Sequence, residues 1–562
     1  MLRKLRSIIL FPVQQLRWAA SLVQFSSSAY RREALSVAAA SSEFSSFDLG
    51  NVIRYRREQI KSDITPRETK KVLIEMLWEY PAANFNSCLV AMLLEKKYAA
   101  GFFALTEFGD INLVKTMANA FGINRFVGVY KSFDFKNHMK AFVRAAYYGM
   151  TARYKAEQGI SLKIDGQEFG DLVYDEYLRD TCKPTVSRIN FHYLALIYNS
   201  LYRYYRYKEI ILEQRVTDII ITHNVYARFG LIIKAAAALS NNITIWITVY
   251  SKPLCIARNL ANKRVINKAQ YFKKEYCELI KEHKSADEIE RDFQRIFNRR
   301  MEAQDANQVD VSFAYANNEI HTMEDFKQAY NTDDEKKIFV MAHAFVDAVR
   351  FPLWQNYSDN YVWLRETLIL LADRSATEEI YVKPHPAESL YPCKVHVKDV
   401  VDEINREYGS NFICMDKKVH NWAIFDLAKA IFTSHGSIGI EAPCLGVKVI
   451  AASSCLYEGA GAIFQAKNIS DYQTLVKNVD TLPDLTPDQV LNAKIAFLWF
   501  NQYMYADSEL LSGLSRYGSQ DRAEAFEKIN EAFAYARPLE QQEVYKAFSD
   551  MIDRGHNDFV CV

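Results

Sequence analysis

Short apolar runs of strand length alternate with stretches of helical period along much of the chain. VLIEML (72–77) predicts a buried strand, and Tyr80-Pro81 ends it. FNSCLVAMLLEKK (85–97) has helical spacing, GFFAL (101–105) predicts a second strand, and INLVKTMANAFG (111–122) predicts a helix closed by a glycine. RFVGVY (125–130) predicts a third strand. Strands and helices alternating through short joints imply a parallel sheet with right-handed crossovers. Residues 133–210 read as mainly helical. The pattern returns over 218–248, with a strand, a polar loop at His223-Asn224, a helix over 227–239 and another strand.

Residues 256–335 are charged, lack glycine, and predict helices without an apolar strand. A second alternating unit starts at KIFVMAH (337–343). Its further predicted strands are EEIYVKPHP (378–386), AIFTSHGS (430–437, a strand plus loop) and KVIAAS (448–453). Its helices are WLRETLILLADRS (363–375), WAIFDLAKA (422–430) and the short IGIEAPCLG (438–446). From 486 the chain reads as helical to its end. The expected organisation is a basic segment and linker (1–68), an α/β domain (69–255), a helical insertion or bridge (256–335), a second α/β domain (336–485) and C-terminal helices (486–562).

The composition narrows the functions. Of 562 residues, 49% are hydrophobic and 24% charged, which excludes long disorder over most of the chain. The net charge of +1 supplies no global field for holding nucleic acid. The Tyr/Arg run YNSLYRYYRYK (198–208) has the residues of a stacking ribbon, but on a helix they point around the axis and read as a packing surface. The nine cysteines are odd in number, and none has CxxC spacing, which argues against a disulfide framework or a structural zinc site. They are expected to be reduced, as in a cytoplasmic protein. No run reaches the roughly 18–20 apolar residues of a membrane span. Residues 1–32 carry six basic side chains and no acid, with apolar residues near helical spacing. Two readings stand for that segment: a helix resting on an anionic membrane surface, or a basic tail with no partner.

Ligands of open α/β sheets bind beyond the carboxyl ends of the strands, so polar residues at strand ends are the candidates. Val382-Lys383-Pro384-His385-Pro386 holds one imidazole between two prolines, which stiffen the turn around it. A histidine there can bond or protonate a phosphate oxygen, with Lys383 adding positive charge. In Thr433-Ser434-His435-Gly436-Ser437-Ile438-Gly439-Ile440-Glu441 an apolar strand runs through serines and glycines into a helix, a pattern suited to an anion. There the glycines are expected to let a phosphate approach the backbone, Ser434 and Ser437 to bond it or cap the helix, and Glu441 to face ribose hydroxyls. No GxxxxGK[ST], GxGxxG or DxD occurs, so the expected nucleotide site needs no metal. For an acceptor-side base the candidates are Asp175, one helical turn after Asp171, and His223 at a strand end. His343, four before Asp347, is a further strand-end histidine.

These strings resemble the bacterial capsule and surface-polysaccharide glycosyltransferases of the GT-B type, which share an HP motif with Kdo transferases, bacterial sialyltransferases and teichoic-acid polymerases. The resemblance rests on IFVMAHAFVDAVRFP (338–352), WLRETL (363–368), VKPHPAES (382–389) and TSHGSIGIEAPCLGVKVIAAS (433–453), with Tyr457, Gly459 and Gly461. GDLVYDEYLR (170–179) and ITHNVYARFGLIIKAAA (221–237) carry it more weakly into the N-terminal half. It implies two Rossmann-like parallel-sheet domains facing a cleft, the first for the acceptor and the second for a nucleotide sugar. It further implies transfer of a sugar from a CMP-, CDP- or UDP-linked donor to a surface glycan or lipid-linked glycan, with inversion and no other cofactor. His385 would contact the donor phosphate, and Lys383, Ser434, His435, Gly436, Ser437 and Glu441 would line the nucleotide site. The enzyme would sit in the cytoplasm, at the inner-membrane face. A polyol phosphotransferase using a CDP carrier and a non-catalytic scaffold subunit are the alternatives. Pro443 in the short helix and Lys429-Ala430 before its strand depart from the family pattern and leave the nucleotide open.

Overall fold

The computed structural model describes residues 48–60, 69–77, 81–107, 112–131, 134–151, 159–239, 242–248, 256–260, 271–304, 315, 318–506, 508–511, 514, 522–556, 558 and 561. The basic segment 1–32 lies outside the described residues.

The first sheet contains β1 (Thr69–Glu75), β2 (Ala99–Thr106), β3 (Phe126–Gly128), β6 (Asp218–Ile221), β7 (Thr244–Thr248) and β8 (Ile256–Leu260). Between β3 and β6 a small antiparallel hairpin forms from β4 (Lys163–Ile164) and β5 (Gln167–Glu168). The second sheet contains β9 (Lys337–Met341), β10 (Ile380–Lys383), β11 (Ile413–Cys414), β12 (Ala428–Thr433), β13 (Val449–Ala451) and β14 (Phe464–Gln465). The strand orders are β3-β2-β1-β6-β7-β8 and β11-β10-β9-β12-β13-β14. With the hairpin set aside, each sheet runs 3-2-1-4-5-6, the doubly wound order of a dinucleotide-binding fold. The chain therefore forms two Rossmann-like domains, the GT-B architecture expected from its sequence. Every pairing in the second sheet is parallel, and only β8 runs antiparallel in the first.

Two elements correct the sequence reading. Residues 256–260, expected within a helical bridge, form the edge strand β8 against β7. Residues 422–430, expected as one helix, make only a short helix over Trp422–Phe425 before β12 begins at Ala428.

The C-terminal helices cross back to the first domain. Phe526, Ile529, Phe533, Phe548 and Met551 share a core with Val52, Phe85, Phe121 and Trp246. The helix Phe191–Glu213, which holds the Tyr/Arg run, is a packing element: Tyr198, Tyr202, Tyr204 and Tyr207 are buried, and Arg203 pairs with Glu107. The domains meet where Tyr174 and Thr185 both donate to Asp359 at 2.6 Å, and where Arg179 and Tyr226 donate to Asp347 at 3.1 and 2.9 Å. No helix among the described residues is long and apolar enough to cross a membrane.

Candidate functional site

In the second sheet the order reverses between β9 and β12, with β10 on the far side of β9. The carboxyl ends of these three strands lead to His343, to Lys383-Pro384-His385 and to the Thr433–Ser437 turn. All three reach one cavity of about 430 Å³, lined among others by Lys383, His385, Asn421, Gly436 and Ser437. This is the switch point where open α/β sheets bind ligands.

His385 caps the short 3-10 helix Pro386–Leu390, and its Nδ1 accepts the N–H of Ala387 at 3.1 Å. A neutral ring so held carries its proton on Nε2. Burial lowers its pKa to about 4, while Asp347 pulls the other way. His385 is thus a neutral hydrogen-bond donor at physiological pH.

His343 stands between the other two strand ends, its ring 6.2 Å from that of His385 and 4.3 Å from that of His435. Its Nε2 lies 3.2 Å from Thr433 Oγ1 and accepts the N–H of His435 at 3.3 Å. Thr433 Oγ1 in turn accepts the N–H of Gly436 at 3.1 Å. Burial, aided by the neighbouring His435 and His385, pushes the His343 pKa well down, as befits an acceptor nitrogen. Burial likewise lowers His435 to about 4.

These bonds alter the expected anion loop. The N–H of His435 is engaged by His343, beyond β9, and that of Gly436 by Thr433 within the turn. Ser434 is buried, and its hydroxyl lies 3.2 Å from that of Ser453 instead of lining the cavity. Ser437 is exposed at the cavity and makes no capping bond with its hydroxyl. Gly439 serves packing rather than phosphate approach: a Cβ there would lie 2.0 Å from Tyr457 Oη, which donates to the carbonyl of Gly436 at 2.6 Å.

Lys383 is buried, and its Nζ donates to Asn421 Oδ1 at 2.7 Å. Burial lowers its pKa to about 7, opposed by Glu441. Glu441, expected to face a ribose, is 1% exposed and fully engaged. Tyr315 donates to it at 2.8 Å, Arg300 Nε at 3.2 Å and Asn421 Nδ2 at 3.2 Å. Arg300, Tyr315 and Asn421 were not found by sequence reasoning. Arg300 and Tyr315 come from the charged bridge, and Asn421 precedes a four-residue helix, so no strand-end signal marks them.

In the first domain, His223 follows β6 at the corresponding switch point, and its pKa is lowered to about 4 by burial against an opposing pull from Asp347. Asp175 is 2% exposed, and its Oδ1 accepts the N–H of Arg350 at 2.9 Å. Burial raises its pKa well above the ordinary carboxylate value. It joins the two domains instead of lining the cavity. Among the described residues no group of three or more His, Cys, Asp or Glu side chains could hold a metal ion.

No protein-family model matches the chain, and no curated protein matches it. Among solved structures it is similar to a β-Kdo 2,7 transferase, KpsC, of Thermosulfurimonas dismutans (14% identity, 58% of this chain and 89% of that one, TM-score 0.30). It is also similar to UDP-GlcNAc 2-epimerase of Neisseria meningitidis bound to UDP-GlcNAc (10%, 77% and 98%, TM-score 0.24) and to Acinetobacter baumannii MurG (10%, 86% and 99%, TM-score 0.21). With TM-scores this low, these likenesses assign no substrate or activity to the chain.

Proposed function

We propose that the protein is a GT-B glycosyltransferase that moves a sugar from a nucleotide-sugar donor to a surface glycan, without a metal ion. The observation that carries this reading is the convergence of His385, with its Nε2 proton, and the Gly436-Ser437 turn on one cavity at the sheet's switch point. In this reading the donor phosphate lies between them. The neutral imidazole donates a hydrogen bond to the leaving phosphate, and Lys383, near the midpoint of its titration, becomes fully charged as the phosphate enters. Glu441 acts from behind, holding Asn421 and hence Lys383 in place.

On the acceptor side we take His223 as the base from its place beyond β6 at the switch point of the first sheet; burial makes it a weak base on its own, and the Asp347 carboxylate is what favours the imidazolium as the acceptor proton arrives. Bonds from Arg179 and Tyr226 to Asp347, at the rim of the cavity, keep the domains together around the reacting groups and limit donor hydrolysis. A thermal-shift panel of CMP, CDP, UDP and GDP with their sugars tests the reading. One nucleotide class should stabilise the wild type and leave His385→Ala unshifted. No shift with any of them, or equal shifts in both proteins, would overturn it.

A further inference from the structure

The helix Phe135–Thr151 follows β3 and so starts at the carboxyl edge of the first sheet, the edge that also carries His223. Among the described residues its packing contacts with the core lie on one face. Asn137, Ala141 and Ala145 are buried, Phe142 and Tyr148 pack on the core, and His138 stacks on Tyr202 with Nδ1 2.7 Å from Tyr198 Oη.

The opposite face is apolar and largely exposed. Phe135, Met139, Val143, Tyr147 and Met150 are 65, 42, 60, 53 and 56% exposed. They are five of the fourteen large apolar side chains exposed among the described residues, gathered on one helix of 17 residues. At 3.6 residues per turn they fall within an arc of roughly 120°. Lys136, Lys140 and Arg144 form an exposed row beside them, and the helix contains no acidic residue. The neighbouring acids are already engaged: Asp134 by Arg206 and Asn137, Asp165 by Lys208 and Tyr204.

An apolar stripe flanked by a cationic row is the arrangement of a helix lying in a membrane interface, its apolar side chains among acyl chains and its cations at anionic headgroups. We propose that this face of the first domain docks on an anionic lipid surface. The row of cations favours lipid over an apolar protein partner. The total charge of +1 means that any such attraction must come from local clusters like this one. The helix starts on the cleft side of the sheet, so docking through it would bring the cleft towards the lipid.

Sedimentation of the full chain with vesicles of phosphatidylcholine containing about a third phosphatidylglycerol tests the proposal, with pure phosphatidylcholine as the comparison. The wild type should bind the anionic vesicles and lose binding as salt rises. Met139→Ser/Val143→Ser/Met150→Ser changes only exposed positions and should weaken binding at least about tenfold while leaving the melting temperature close to wild type. Lys136→Ala/Lys140→Ala/Arg144→Ala should remove most of the preference for anionic vesicles. Binding of the first variant equal to that of wild type would place the contact elsewhere and overturn the proposal. So would absence of wild-type binding, or a wild-type oligomer in solution that the first variant dissociates.

Discussion

His385 Nδ1 accepts the backbone N–H of Ala387 at 3.1 Å, which leaves the proton of the neutral ring on Nε2. With its pKa near 4, this histidine stays neutral across the physiological range. Nucleotide affinity should therefore show no histidine titration at His385 between about pH 6 and 8.

Lys383 should supply the pH dependence instead. Its pKa is lowered from 10.5 to about 7, and a bound phosphate favours the charged amine. Affinity for a nucleotide sugar should be greatest below pH 7 and fall as pH rises through it, by roughly tenfold between about pH 6.5 and 8.5. Calorimetric titrations at several pH values check this. Lys383→Met should bind more weakly and give a flat profile.

Gly439→Ala should cost about 1–3 kcal/mol of stability, because the new methyl meets Tyr457 and breaks its bond to the Gly436 carbonyl. Urea unfolding measures the loss. Gly439→Ala/Tyr457→Phe should recover part of it, since removing the hydroxyl relieves the closest contact.

Glu441→Ala should be the most destabilising of these changes, by about 3–5 kcal/mol. It strips Arg300, itself only 12% exposed, of its buried partner and leaves Tyr315 and Asn421 short of an acceptor. Glu441→Gln keeps the shape and should cost less. Chemical denaturation of both variants separates loss of charge from loss of packing.

Two carboxylates at the domain junction should behave differently. Asp347 and Arg179 are each nearly half exposed, so Asp347→Ala should change stability by less than about 1 kcal/mol. Asp359 is 2% exposed, accepts from both Tyr174 and Thr185 and caps the helix Asn360–Leu371. Asp359→Ala should cost about 2–4 kcal/mol in the same denaturation experiment.

Much of the fold was legible because its strands contain short apolar runs cut by turns, as at 72–74 within β1, 218–221, 337–341 and 449–451. β8 was not, since IARNL has neither an apolar run nor alternation and relies on pairing with β7. The hairpin at 163–168 was missed although Asp165-Gly166, both at positive φ, is a strong turn signal. The return of the last helices to the first domain is a long-range choice that amphipathic spacing does not encode. At the site, strand ends revealed His385 and the Gly436 turn. The roles of Ser434, Gly439 and Glu441 were misread because the residues they meet, Ser453, Tyr457 and Arg300, come from other segments of the chain.

The most direct test is a crystal structure of the protein soaked with whichever nucleotide stabilises it. The account predicts a phosphate oxygen within hydrogen-bond distance of His385 Nε2, with the Gly436-Ser437 turn on its other side. A nucleotide bound with its phosphates outside this cavity, or with His385 turned away from them, would contradict it.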